Sequence, residues 1–140
     1  EMIARETGGA LHEIQPQIPY TEADLDYYSG GRADREQADP SARPAIANSV
    51  ADMSSYDVVF LGYPIWHGQA PKIIYTFLES YDFSGKTIIT FNTHGGSGFS
   101  NTVSTIRSLE PDATVVEGLS ISRNHIQDAK DEIVEWVNGL

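Results

Sequence analysis

The chain contains no cysteine among its 140 residues. This absence excludes catalytic thiols, iron–sulfur ligation by cysteine and redox disulfides. Any electron chemistry must therefore come from a bound organic cofactor or from a metal site without cysteine ligands. A domain of about 150 residues buries roughly 70% of the surface that its unfolded chain exposes. Residues 1–140 are therefore expected to form a single domain that needs neither disulfides nor a structural metal.

Positive charge and long apolar runs are also scarce. Nine Lys and Arg residues stand against 20 Asp and Glu residues, which gives a formal net charge of −11. Because nucleic-acid binding needs clustered Lys and Arg, the composition predicts no nucleic-acid partner. No apolar run approaches the roughly 20 residues of a transmembrane helix, and no charged and then apolar leader is present. We therefore expect no membrane association and a cytoplasmic location.

Much of the negative charge is concentrated in one stretch of the chain. The residues concerned are Glu22, Asp24, Asp26, Asp34, Glu36 and Asp39. The simplest interpretation is a solvated surface, and the alternative is a docking patch for a redox partner protein.

Strand and helix patterns alternate along the sequence. Apolar runs at residues 58–61, 87–91 and 114–121 predict strands that are covered on both faces, the last one interrupted at Gly118. Residues 10–14 predict a short edge strand that ends at Pro16. Helices with apolar residues on one face fit between these strands, so the alternation predicts an α/β three-layer domain with a parallel sheet.

The predicted helices begin and end at recognisable signals. Residues 1–7 are typical of the last turns of a helix closed by glycine, and residues 71–81 begin at a proline. A polar helical segment begins at Thr21 as N-cap, breaks at Gly30 and Gly31, and stops before Pro40. Residues 99–109 form the next predicted helix, and Asn124 with Gln127 resembles a capping box for the final one, which runs through Val137.

Two predicted strands end in loops that could hold a ligand. In the first loop, Gly62 and Gly68 allow tight turning, Pro64 stiffens the backbone, and Trp66 offers a flat face for stacking. The second loop, residues 93–98, offers backbone N–H groups at the expected N-terminus of the next helix. Because ligands of open parallel sheets bind beyond the carboxyl ends of the strands, the sequence predicts a shared site for a flat aromatic ligand.

Other chemistry-bearing residues leave alternatives open. His67 and His94 could move protons near neutral pH, or could simply be surface histidines. Ser97 keeps a hydrolase as the alternative enzyme class, although the framing Gly-x-Ser-x-Gly is incomplete around it. No spacing of His and Glu resembles a metal site.

The pieces GYPIWHGQAP (62–71), FLE (77–79), SGK (84–86) and FNTHGGSG (91–98) resemble, in order and spacing, the flavodoxin-like proteins of the short, single-domain type. The resemblance runs from about residue 10 to the C-terminus. It implies FMN as the cofactor, with electron transfer or oxidoreduction as the function and with a redox partner protein or a small quinone or nicotinamide as the partner. The contacts it implies come from Pro64, Ile65, Trp66, His67 and Gly68, and from Thr93, His94, Gly95, Gly96 and Ser97. His67 replaces the aromatic residue that commonly follows the tryptophan in the family.

The family also has a first strand and a phosphate-binding loop that have no counterpart in this sequence. In the sheet order 2-1-3-4-5, that strand lies between the predicted strands at residues 10–14 and 58–61. Three expectations follow: the chain is a fragment of a longer product, which we favour; the sheet closes to the order 2-3-4-5; or a second chain covers the exposed edges, for example in a homodimer. Without the phosphate loop FMN is expected to bind weakly. The alternative function is a flavin-free interaction module.

Overall fold

The computed structural model describes residues 1–26 and 30–140 of the chain. The α-helices of this part are α1 (Met2–Thr7), α2 (Arg32–Ala38), α3 (Lys72–Glu79), α4 (Thr102–Leu109) and α5 (Lys130–Asn138). The strands are β1 (Val58–Pro64), β2 (Thr87–His94) and β3 (Thr114–Ser122). Two short 3₁₀ helices, Met53–Ser55 and Ile126–Asp128, precede β1 and α5.

Within the described ranges the strands form one parallel sheet in the order β1-β2-β3. Parallel neighbours need a crossover connection, and α3 and α4 supply the two crossovers. The register pairs Val58 with Thr87 and Pro64 with Thr93, so β1 and β2 end at the same edge of the sheet. These findings confirm the three strands predicted from the apolar runs and the α/β class.

Side chains of β1 alternate between the two faces of the sheet, as strand geometry requires. On one face the Tyr63 hydroxyl lies 2.8 Å from the Thr102 hydroxyl of α4. On the other face the ring of Phe60 meets Trp136 of α5 edge-on, with ring centroids 6.0 Å apart. Helices therefore cover both faces in three layers. The main core lies on the α3/α4 side, where Phe83, Leu78, Ile88 and Ile106 are fully buried.

The predicted strand at residues 10–14 is wrong. These residues form no regular element, and Pro16 makes an isolated antiparallel bridge with Ile46. The neighbouring backbone bonds to residues 45–48 instead: Ala47 N–H donates to the Gln15 carbonyl at 2.7 Å, and the Asn48 amide donates to the Glu13 carbonyl. The sheet order 2-3-4-5 is consequently also wrong, because no described residue pairs with β1 from that side.

Three helix predictions also need correction. Thr21 caps only a turn at residues 22–25, and the next described helix begins at Arg32; part of the predicted segment, residues 27–29, lies outside the described residues. Helix α4 begins at Thr102, and α5 begins at Lys130 without a side-chain cap. In contrast, α1 ends as predicted at Gly8, whose φ of 70° is left-handed. No helix in the described ranges is long and apolar enough to cross a membrane.

Candidate functional site

The first predicted loop is a tight turn held by reciprocal backbone bonds. Trp66 N–H donates to the Gln69 carbonyl at 2.8 Å, and Gln69 N–H donates back to the Trp66 carbonyl at 3.0 Å. The central residues His67 and Gly68 have φ values of 51° and 73°. A two-residue turn with positive φ at both central positions is of type I′, which glycine adopts freely and histidine tolerates better than most residues. The chain therefore presents Trp66 and His67 on a rigid support.

Gln37 of α2 holds this turn in place through side-chain hydrogen bonds. Its side-chain amide donates to the carbonyls of Trp66 and Ala70, at 3.0 and 3.2 Å, and its side-chain oxygen accepts from Lys72 N–H at 3.1 Å. Only 4% of Gln37 is exposed. Buried backbone groups outside regular structure need such partners, so Gln37 fixes the path between β1 and α3. No local sequence pattern predicts this role, because Gln37 lies in a polar stretch.

Trp66 is half-buried and packs against Tyr20. The two rings meet edge-on, with centroids 5.6 Å apart. The Tyr20 hydroxyl donates to Glu36 of α2, and the Arg32 guanidinium lies 3.9 Å over the Tyr20 ring. Burial, with the neighbouring Glu36 carboxylate, raises the pKa of Tyr20. The hydroxyl therefore stays protonated and keeps donating, which holds the aromatic pair in place.

His67 lies next to a carboxylate. Its Nε2 is 3.3 Å from Oδ1 of Asp34, and both side chains are partly exposed. The turn thus carries an aromatic face and an imidazole side by side, and histidine is the side chain that most readily moves protons near neutral pH.

The second predicted loop begins later than its sequence suggests. Thr93 and His94 belong to β2, and Ile65 N–H donates to the Thr93 carbonyl at 3.0 Å, which ties the two segments together. Gly96 N–H donates to Nδ1 of His94 at 2.9 Å. Gly95, Gly96 and Ser97 are exposed. The structure therefore brings the two predicted sets of residues to one edge of the sheet.

Two details of the predicted loops are wrong. Gly62 does not form a turn but lies within β1, opposite Phe91, and a β-carbon there would be 2.3 Å from Phe91 Cζ. Its role is to make room for that ring. Residues 93–98 also do not lie at a helix N-terminus, because α4 begins only at Thr102.

Arg123 is a site residue that the sequence did not reveal. Its backbone N–H donates to the His94 carbonyl at 2.8 Å, which places it beyond the end of β3. A β-carbon at Gly95 would lie 3.7 Å from Arg123 Cζ, so the guanidinium packs beside the second loop. A cation therefore lies at the loop edge of the site, while Asp34 contacts the turn through His67. The proximity of Arg123 to Gly95 depends on the pairing of separate strands, so local sequence patterns cannot predict it.

Ser97 gives the hydrolase alternative no support. It is exposed, and within residues 1–26 and 30–140 no base is hydrogen-bonded to its hydroxyl. The nearest candidate in sequence, His94, already uses Nδ1 as an acceptor for Gly96 N–H. An activated serine needs a base within hydrogen-bond reach.

Comparison with known proteins shows what the chain is similar to. A family model described as Flavodoxin matches residues 1–140. A solved structure from Bacteroides eggerthii, assigned as a flavoprotein, is 36% identical with a TM-score of 0.82, and the match covers 98% of this chain and 86% of that chain. A similarly assigned structure from Bacteroides uniformis is also 36% identical, with a TM-score of 0.84 and coverages of 94% and 85%.

A third structure is more distant. A flavoprotein from Lactobacillus acidophilus in complex with FMN is 21% identical, with a TM-score of 0.65 and coverages of 96% and 85%. At this identity the likeness shows the fold alone. No curated protein matches the chain.

Proposed function

The chain belongs to the flavodoxin family, and we propose that it binds FMN at the carboxyl end of its sheet and acts as a redox protein. The observation that carries the proposal is the turn of residues 66–69, which presents a half-buried indole beside the exposed glycines at the end of β2. FMN would supply the electron chemistry that a cysteine-free chain cannot perform alone.

The groups at this edge of the sheet fit a flat heteroaromatic ring. Trp66 offers a stacking face whose orientation Gln37 and Tyr20 fix. The backbone N–H groups of Gly95 and Ser97 donate to no described residue, so they are available to ring carbonyls or nitrogens. Gly95 and Gly96 add no side chain that would block the approach. These groups fit the flavin ring of FMN. No described residue is assigned to the FMN phosphate.

Charges at the site would tune the bound ring. Arg123, an exposed cation beside Gly95, favours negative charge at the ring edge that contacts the second loop, because opposite charges attract. His67, in contact with Asp34, places an imidazole beside Trp66. Arg123 is thus the group that would stabilise a ring that has gained electrons, which a redox protein requires.

An FMN titration with matched tryptophan variants tests the proposal. Flavin fluorescence gives the dissociation constant for wild type, Trp66→Phe and Trp136→Phe, in which the second tryptophan of the chain is the control. We expect Trp66→Phe to weaken FMN binding by about 3- to 10-fold, because a smaller ring stacks less well. Trp136→Phe should leave binding unchanged.

Two outcomes would contradict the proposal. Equal effects of the two substitutions would mean that Trp66 does not contact the flavin. A folded wild-type chain that binds no FMN would favour the flavin-free interaction module.

The proposed electron-exchange partner follows from the net charge of the whole chain, which is −11. Asp34 lies beside the turn, whereas Glu36 is paired with Arg32. We propose a redox partner protein with a basic surface, rather than a free quinone or nicotinamide. Electron transfer to such a partner should slow steeply as ionic strength rises, whereas a rate that does not depend on salt would favour a small neutral substrate such as a quinone.

A further inference from the structure

A pocket between α3 and α4 is lined by positive charge without negative charge. Its volume is about 410 Å³, and Gly68 and Gln69 of the turn form part of its wall. Two of the nine Lys and Arg residues of the chain, Arg43 and Lys72, line this pocket, whereas none of the described residues that line it is Asp or Glu. In a chain with 20 acidic residues, a pocket of this composition suits an anion.

Lys72 is a buried cation in the wall of the pocket. Only 5% of the residue is exposed. Its Nζ donates to Oε1 of Gln69 at 2.8 Å, and no carboxylate of the described residues forms an ion pair with it. Burial and then the nearby Arg43 lower the pKa of Lys72, and Asp39 has a smaller, opposite effect. A buried ammonium without a paired charge is unfavourable, so the site would gain from a negative partner.

Arg43 brings a second cation to the same aromatic ring. Lys72 Nζ lies 4.9 Å and Arg43 Cζ lies 5.4 Å from the centroid of the Tyr75 ring. Nε of Arg43 pairs with the half-exposed Glu79 at 2.9 Å, and its Nη1 donates to two backbone carbonyls. Its Nη2 donates to no described residue. One carboxylate beside two cations leaves net positive charge at the pocket.

Uncharged groups complete the lining. Asn101 lines the pocket at the start of α4, and its side chain does not cap that helix. Pro40 and Leu109 add apolar surface. Ammonium, guanidinium and amide N–H groups are donors that match the oxygens of a carboxylate or a phosphate. Small-molecule sites typically measure about 300–1,000 Å³, so the pocket has room for more than the charged group itself.

We propose that this pocket binds a small organic anion through a carboxylate or phosphate group that contacts Lys72, Arg43 and Asn101. The oxyanion supplies the negative charge that the buried ammonium lacks, and the apolar walls contact the rest of the molecule. Trp66 does not line the pocket, so the site is separate from the proposed stacking face. Anion binding needs no flavin and can be tested independently of the proposed function.

Three ligands of similar shape test the proposal: benzoate, phenyl phosphate and the uncharged benzamide. Each is titrated into the ¹⁵N-labelled, flavin-free chain at constant ionic strength, in a buffer without phosphate or carboxylate. We expect the anions to give saturable shifts of the Asn101 side-chain amide and of the Gly68 and Gln69 backbone amides, in the millimolar range that suits such small ligands. The tighter anion identifies the preferred group. Benzamide should bind at least about tenfold more weakly, because it lacks the charge.

Two matched pairs of variants locate the site. Lys72→Met removes the charge but keeps the length of the side chain, and Lys130→Met does the same at an exposed position of α5. Asn101→Asp adds a carboxylate to the pocket with little change of shape, and Asn124→Asp adds it at an exposed position outside the pocket. Lys72→Met and Asn101→Asp should each weaken binding of the tighter anion by about tenfold or more, and the controls by less than about twofold.

Circular dichroism checks that all four variants fold, and the asparagine pair decides the question if Lys72→Met does not. Any of three results would overturn the proposal. An absence of saturable shifts with both anions would leave Lys72 as a buried residue satisfied by Gln69 and the Tyr75 ring. Benzamide that binds as tightly as the anions would show an apolar pocket. Equal binding by the two members of either folded pair would place the anion elsewhere on the chain.

Discussion

At the scale of single residues, Gln37 has the largest structural influence on the candidate site. One side chain satisfies three backbone groups on the path from β1 to α3, namely the carbonyls of Trp66 and Ala70 and the N–H of Lys72. Removing it would leave these groups unpaired in a buried place. Unsatisfied buried polar groups cost about 1–3 kcal/mol each, unless water enters.

We expect Gln37→Ala to lower the free energy of unfolding by about 1–3 kcal/mol, because water can replace only some of the hydrogen bonds that Gln37 makes to the backbone. In a Trp136→Phe background, the remaining Trp66 emission should also shift to the red as the turn loosens. Urea unfolding and fluorescence spectra measure the two effects. Gln127→Ala is the control, since Gln127 is exposed and lies in the short 3₁₀ helix before α5. Equal stability of the two variants would show that these hydrogen bonds are dispensable.

Sequence patterns predicted the site residues only where the pattern is local. The turn around Trp66 and the glycines at 95 and 96 follow directly after apolar runs, so their place at the edge of the sheet could be predicted. Gln37 and Arg123 could not. Gln37 is separated from Trp66 by 29 residues, and Arg123 reaches Gly95 only because β3 lies beside β2.

At the scale of elements, three strands could be predicted from local patterns, and a fourth predicted strand does not form. The apolar runs identified β1, β2 and β3, although β1 and β2 extend three residues further than predicted, to Pro64 and His94. Gly118 interrupts pairing without ending β3: Thr90 pairs with Glu117 and Phe91 with Leu119, so Gly118 is the extra residue of a bulge. Residues 10–14 have a strand pattern but no neighbouring strand to pair with, and a strand without a partner does not form.

Two carboxyl groups in turns should affect stability in opposite directions. Thr21 N–H donates to Asp24 at 2.9 Å and lowers the pKa of that carboxyl. At the end of α4, burial and then the nearby Asp82 raise the pKa of Glu110. A lowered folded-state pKa means that ionised Asp24 stabilises the fold, and this contribution is lost as the pH falls through that pKa. A raised folded-state pKa means that ionised Glu110 destabilises the fold, and protonation removes the penalty.

Asp24→Asn should therefore lower Tm at about pH 7, and Glu110→Gln should raise it. Both differences from wild type should shrink as the pH falls towards about 3, since the wild-type carboxyls then become neutral like the amides. Thermal unfolding followed by circular dichroism across this pH range measures both variants, and each serves as the control for the other. Shifts of the same sign at neutral pH would contradict this assignment.

At the scale of the whole molecule, the strands of the sheet differ in how well neighbouring residues shield their backbone from solvent. β2 is central, and its Ile88 and Thr90 are fully buried. β1 has helices over both faces but an open edge, and 48% of Val58 is exposed. Local stability should accordingly decrease from β2 towards the outer edge of β1, because local opening is easiest where few groups are paired and buried.

Amide hydrogen exchange should reveal this difference as an alternation along β1. The N–H groups of Val59, Leu61 and Tyr63 face β2 and should be protected. Those of Val58, Phe60 and Gly62 point away from β2, where no described residue pairs with them, and should exchange at least about tenfold faster. The amides of β2 provide the reference, since that strand is paired on both sides. Uniform protection along β1 in the free chain would mean that its outer edge is already covered. Faster exchange at these three residues alone would show that β1 is an open edge of the sheet in the free chain.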